Sequence, residues 1–457
     1  MAHPRPSQRR RSTLALVAAS ALIFPVAIAS PAMAADDLPV GLFGTQSPEF
    51  DGVYRQSLAL LAFAAEGVEP PTEAVEWLLE QQCDSGAFEA FRADPSTSCA
   101  APDPDAFTGP DTNATAMAAQ ALAALGEDDA AFAALDYLAD AQNDDGGIPS
   151  IKGGLSDANS TGVTAMAVSA LGGSLDETEG PGGNTLADAL DGLQVDCTGD
   201  VSEQGAYAFR ADFGIVANDY ATVQALLGRA GGFLPVLPDS PADVDALRLD
   251  CGDGGTDDPA AAGAGYLADR LSDNGGTIPD AFNPGATDWG STRNAVIALA
   301  GVGLGREALV DAWTELDAQQ DTFLTDAEGD DLPGALAEMI LATNAAAPSL
   351  TAGDLDVTRV ERAVVVGDTD TSELLTRLES TLNAEPTVDD TDGTDGTDGE
   401  DKSASPIPPT DATNGGTEIA DTGATSVPVA VSGALLLVLG AALVAVARRF
   451  ALDVETA

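Results

Sequence analysis

One local pattern recurs through this chain and limits what it can become. A stretch with helical spacing ends in glutamine, turns through acidic residues and glycine, and resumes on an aromatic or branched apolar side chain. The first copy is TEAVEWLLEQQCDSGAF, from Thr72 to Phe88. Ala74, Leu78 and Leu79 share one helical face there, with Val75 and Trp77 at its flanks. Gln81 and Gln82 end the helix, and Asp84-Ser85-Gly86 supply a turn that tolerates left-handed backbone. Phe88 is placed to fold back onto the helix. The pattern returns as YLADAQNDDGGI at Tyr137–Ile148 and YLADRLSDNGGTI at Tyr266–Ile278, with looser forms at Leu190–Tyr207 and Val310–Phe323. A unit that recurs in this way buries its apolar face against its own neighbours.

Each copy is paired with a helix of different character. These helices open at Phe50, Asp111, Asp157, Asn218, Asp288 and Asp331. Most follow an acidic or polar cap and then alternate small and large apolar residues, as in Ala114, Ala118, Ala121 and Leu122. Alanine on so many faces requires close contact between helices. The second helices carry more charge; the first is capped by Thr72, and the others cover 129–142, 184–194, 259–271, 307–320 and 372–382. The expected fold is all-α: an α/α toroid of about five to six helix pairs, spanning residues 35–383. Its inner layer is small and apolar, its outer layer charged, and glycine turns join them at one rim. From Ala230 to Pro259 the helical pattern fails, which predicts a long rim loop or a small insertion. Ala363–Val366 reads as a short strand outside this scheme.

Charge and cysteine usage narrow the setting. There are 74 acidic side chains against 19 basic ones, a formal net charge of −55. No basic patch exists to neutralise phosphates, so nucleic acid is not an expected partner. Residues 1–34 read as an export signal: Arg5, Arg9, Arg10 and Arg11, then an apolar run over 14–28, then Ala32-Met33-Ala34 before a cleavage point at Ala35. Cys83, Cys99, Cys197 and Cys251 are even in number, as disulfides in an oxidising compartment require. Of the three possible pairings, chain order favours Cys83–Cys99 and Cys197–Cys251, each removing on the order of 3–4 kcal/mol of loop entropy.

The C-terminal part is different. Residues 384–418 are mostly Asp, Thr, Gly, Ser and Pro, including TDGTDGTDG from Thr391, and cannot bury a core. A disordered acidic linker is expected. Within 419–457, Val427–Ala447 is an apolar run of transmembrane length, followed by Arg448 and Arg449. Ile419-Ala420-Asp421-Thr422-Gly423 stands just before it. This layout resembles the sorting signal of Gram-positive surface proteins of the actinobacterial type. The resemblance implies a sortase that joins Thr422 to the cell wall, with the C-terminal helix holding the chain in the membrane beforehand. It places the protein outside the cell, anchored to wall or membrane. Ile419 stands where leucine is usual, and the tail after Arg449 is longer and partly acidic.

The helix pair ending in Gln-x-x-Asp-Gly-x-aromatic resembles the repeats of squalene and hopene cyclases and of protein prenyltransferase β subunits. Gln81, Asp84, Gly86 and Phe88 carry the match, then Gln142, Asp145, Gly146 and Gly147, and the likeness spans Phe50–Asn344. It implies an α/α barrel and little chemistry. The cyclases use a DxDD acid cluster, whereas the nearest string here is Asp103-Pro104-Asp105, in a proline-rich stretch without the following acid. The transferases use zinc held by Asp, Cys and His, but the one histidine is His3, inside the export signal. Without another histidine a Ser-His-Asp triad is ruled out. No catalytic residue, metal ligand or cofactor is assigned.

Asp111, Asp157, Asp219 and Asp288 open inner helices at one rim, with Tyr220 and Trp289 beside two of them. Such a ring of carboxylates and aromatics would suit a sugar or a cation. The plainer alternative is that each Asp caps its helix. The expected function is a surface-displayed, non-catalytic binding module, with a small apolar or cofactor-like ligand in the central cavity or a surface partner. The alternative is an enzyme, either cyclase- or transferase-like, or a glycoside-active barrel using two carboxylates about 5–10 Å apart.

Overall fold

The computed structural model describes residues 39–44, 48–252, 254–352 and 370–383. Among them are twelve α-helices: α1 (Pro48–Glu66), α2 (Thr72–Glu80), α3 (Thr112–Leu125), α4 (Asp128–Ala141), α5 (Ala158–Ala170) and α6 (Leu186–Leu193), then α7 (Asp219–Arg229), α8 (Pro259–Asp273), α9 (Trp289–Val302), α10 (Arg306–Gln319), α11 (Pro333–Thr351) and α12 (Thr371–Ser380). Two-residue strands β1 (Ile148–Pro149) and β2 (Ser156–Asp157) pair antiparallel just before α5.

Each odd-numbered helix packs against the next, and α11 packs against α1, so six helices close a ring. The even-numbered helices lie outside it, each against its own partner. The inner helices are buried almost all round: in α3, Ala116, Ala118, Ala119, Ala121 and Leu122 are fully inaccessible. Small side chains permit this. At Gly162 of α5 an added Cβ would stand 2.7 Å from Cα of Ala225 on α7, so only glycine fits that crossing.

The recurring turn is what ties the layers. Nε2 of Gln142 donates to the carbonyl of Gly146 at 2.7 Å and to that of Thr178, ahead of the next outer helix, at 3.1 Å. Gln82 binds Gly86 and Ala130 in the same way, and Gln194 binds Gly205 and Pro259. Gly146 has φ +82°, and a Cβ there would stand 2.2 Å from the carbonyl oxygen of Thr185. After each turn one N–H points inward to a threonine hydroxyl: Phe88 to Thr115, Ile148 to Thr161, Tyr207 to Thr222 and Ile278 to Thr292. Each of these hydroxyls donates in turn to the carbonyl of its helix cap, Asp111, Asp157, Asn218 or Asp288. In the first pair Gln56 does both jobs, accepting from Phe43 and donating to Gly41 and Ala74.

The first and last described segments clasp. Phe43 bridges Leu382, and the N–H of Gly41 reaches the carbonyl of Asn383 at 2.7 Å. Cys83 is joined to Cys99 and Cys197 to Cys251, with S–S distances of 1.97 and 1.99 Å. The irregular stretch after α7 lies against the ring, with Leu234 and Val236 buried.

Three expectations are corrected. The membrane-spanning C-terminal helix is not part of the architecture shown: no helix among the described residues is long and apolar enough to cross a membrane. The longest, α1 and α11 at 19 residues each, belong to the ring and carry polar side chains such as Arg55 and Asn344. The run at 427–447 lies outside the described residues, as do the export signal, the linker, the pentapeptide Ile419–Gly423 and the strand at 363–366. The membrane contact before sorting, and the sortase and cell-wall partnership built on it, are therefore withdrawn. Thr72 is not a cap; it is the first residue of α2, preceded by Pro71 with no side-chain cap bond. Gln82, not Gln81, holds the first turn, because Gln81 is engaged with Arg92.

Thr161→Val should keep the side-chain shape and leave the buried Ile148 N–H without an acceptor. The expected loss is about 1–3 kcal/mol, read as a lower urea midpoint at unchanged slope. Thr351→Val, at an exposed helix end, should stay within about 0.5 kcal/mol. Equal effects at the two sites would remove the threonine from its structural role.

Candidate functional site

Hairpin connections place the N-termini of all six inner helices at one end of the ring, and the inward-facing residues change character there. Deeper in, Leu58, Met117, Val163, Met166, Leu227 and Ile297 surround a void of about 20 Å³ that Tyr54, Gln224 and Asn294 close from above, room for about one water. From the opposite end Leu234 enters the same packing, its N–H held on Oε1 of Gln120 at 3.0 Å. The centre is filled by side chains. The central cavity expected for a small apolar or cofactor-like ligand has no room for one, since such sites run to about 300–1,000 Å³.

One turn nearer the N-termini the same faces are polar. Tyr54 stands four residues before Leu58, Asn113 four before Met117, and Asn159 four before Val163. Nδ2 of Asn159 donates to Oε1 of Gln224 at 3.0 Å. Nε2 of Gln224 donates to the phenol oxygens of Tyr54 and Tyr220, at 3.4 Å each. Nδ2 of Asn113 reaches Oγ of Ser160 at 3.2 Å. On α9, Arg293 gives Nε and Nη2 to Oε2 of Glu338 at 2.9 and 2.7 Å, and Asn294 donates to the other oxygen at 3.3 Å. Arg293 also lies 4.9 Å over the ring of Phe323.

Tyr54, Asn113, Tyr220, Asn294 and Glu338 are half-buried, so this layer is reachable from solvent. Burial raises the phenols of Tyr54 and Tyr220 above their ordinary range, and the Glu338 carboxylate adds to both shifts. They stay protonated, able to donate and accept. Oδ1 of Asn113, Oδ1 of Asn159 and Nη1 of Arg293 are buried without a partner.

The residues singled out in the sequence divide. Asp111, Asp157 and Asp288 cap α3, α5 and α9, accepting from the N–H groups of Ala114, Ser160 and Ser291 at 2.9, 2.8 and 2.9 Å. Asp219 is not a cap: Asn218 takes that role for α7. Asp219 turns to α8, where it accepts from the Tyr266 hydroxyl at 2.6 Å and from Arg270 at 3.0 Å. Tyr220 joins the polar layer, and Trp289 stacks on Phe323 with centroids 5.2 Å apart. The structure adds Tyr54, Asn113, Asn159, Gln224, Asn294 and Glu338. Their signal was a polar residue one turn ahead of a core position, on helices otherwise lined by alanine and leucine. Among the described residues no group of three or more His, Cys, Asp or Glu is placed to hold a metal ion.

No protein-family model matches the chain, and no curated protein matches it. Among solved structures, a protein from Actinoplanes superposes with a TM-score of 0.41 at 15% identity, over 69% of this chain and 95% of its own. That likeness is too remote to support an argument about fold or function.

Burial raises the Asp157 carboxyl to about 6, against the N–H and hydroxyl of Ser160, which lower it. A carboxyl that holds its proton more tightly when folded contributes stability that is fully present below the ordinary value of 3.8 and is lost as pH rises to about 6. A shift of about two pK units corresponds to roughly 3 kcal/mol. Asp157→Asn, which still caps the helix, should flatten the fall in unfolding free energy across that window. Parallel pH profiles of the two proteins in chemical denaturation would count against an ionisable burden at Asp157.

Proposed function

We propose that this chain is a secreted, non-catalytic binding module that presents the polar mouth of its helical ring to a ligand. The observation that carries the reading is a packed centre beneath a solvent-reachable layer of amides and phenols. The carboxylates near that layer are already committed. Asp111, Asp157 and Asp288 hold helix N-termini, and Glu338 is held by Arg293 and Asn294. General acid–base work on a glycosidic bond needs two carboxyl groups free to face one substrate, and the mouth offers hydrogen-bonding groups instead. Two disulfides fit an oxidising, extracellular setting. The closed ring of helix pairs, stapled at glutamine–glycine turns, also supports kinship with the cyclase and prenyltransferase barrels, in architecture alone.

Immobilised protein should retain a partner from the surrounding medium and release it with its mass unchanged. Asn159→Leu and Tyr220→Phe should each weaken retention by about tenfold or more, and Tyr220→Phe, at a half-buried position, should leave thermal unfolding near the parent value. Release of a cleaved or transferred product, abolished by Glu338→Gln, would overturn the non-catalytic reading.

A further inference from the structure

We propose that the mouth recognises an uncharged, polyhydroxylated ligand, the terminal sugar of a glycan, and not an ion. The inference rests on the binding reading above and supplies the ligand chemistry that reading leaves open. Its starting point is the set of atoms left without partners. Oδ1 of Asn113 and Oδ1 of Asn159 are acceptors lacking a donor, and Nη1 of Arg293 is a donor lacking an acceptor. Asn159 is 5% exposed, and its bond to Gln224 aims it toward Tyr54 and Tyr220. Buried polar groups are rarely left unmet in native proteins, because each costs free energy until something pairs with it. An ammonium ion can only donate, and a phosphate dianion offers three accepting oxygens against a single hydroxyl. A sugar hydroxyl both donates and accepts, so it can meet the unpaired Asn159 oxygen and the phenols of Tyr54 and Tyr220 alike.

Electrostatics point to the same class. Six helix N-termini bring the positive ends of their dipoles to this end of the ring. Three aspartate caps set negative charge against them, and Arg293 and Glu338 offset each other as an ion pair. The chain as a whole is strongly acidic, which opposes an anion, and a neutral ligand avoids the penalty of stripping water from a charge. Size and surroundings add to this. The void that Tyr54, Gln224 and Asn294 line holds about one water, so a ligand must lie on the outer side of the polar layer and cannot thread the ring. Phe50, Phe107 and Phe282 are exposed on the first turn of α1 and on connections that lead from outer to inner helices, at this same end. Their rings offer apolar surface for the C–H faces of a sugar.

The test uses the full-length protein with 15N in its asparagine side chains, the mouth signals being assigned from Asn113→Leu and Asn159→Leu. The probes are the methyl glycosides of glucose, galactose, mannose and N-acetylglucosamine, with n-butylammonium chloride and sodium phosphate beside them. At least one glycoside should shift the Asn113 and Asn159 amides, and neither ion should. Asn159→Leu should weaken glycoside binding about tenfold or more; should that variant unfold, Tyr220→Phe at a half-buried position gives the same comparison. If an ion moves these signals and no glycoside does, the sugar inference falls and binding at the mouth survives. If no probe moves them, and partner retention also survives Asn159→Leu, both fall.

Discussion

The structure depends on a side-chain amide that satisfies two carbonyls at once. Gln82, Gln142 and Gln194 each close their own glycine turn and reach the backbone at or just ahead of the next outer helix. A helix ending leaves backbone groups unsatisfied. Here those ends are used to join one pair to the next. The left-handed glycine lets the turn press directly on the neighbouring backbone, and the threonine hydroxyl behind it passes the following N–H on to the cap of the inner helix. Turn, cap and neighbouring pair therefore form one hydrogen-bonded unit, repeated around the ring with small changes.

That unit explains why the centre can be so plain. With register fixed at the turns, the inner helices need only small residues to approach one another, and alanine and glycine provide them. The axis fills with Leu, Met, Val and Ile, and Leu234 enters from the far end. Apart from Gln120, which holds Leu234 at the far end, the axis turns polar toward the inner N-termini. There the polar side chains bind one another and remain open to solvent. A packed lower layer holds an upper layer of amides and phenols in place, which is the order of construction a binding site needs.

Much of this was legible in the residues. The helix pairs could be read because each has its own period, its own cap and its own turn. Alanine-rich inner helices such as α3 announced close packing. Other parts were hidden for physical reasons. The aspartates at the rim looked functional because caps recur with the repeat, yet a cap is spent on its own helix. Asp219 differs from Asp111 by a shift of one position, since Asn218 precedes it and takes the amides. The threonine four residues after each cap is plain in DTNAT, DANST, NDYAT and DWGST, but its role appears only when a distant N–H arrives. Glu338 and Asn294 were invisible because they lie 44 residues apart and meet only when the ring closes.

The clasp between residues 41–44 and 381–383 makes the folded unit cyclic in all but covalent connection. No helix pair is first in any structural sense: α1 is flanked by α11 as it is by α3. The order of the pairs along the polypeptide is thus a matter of where the loop was cut. A gene opened at an exposed turn such as Gly183, with the clasped strands spliced together, encodes the same circle read from a different starting point.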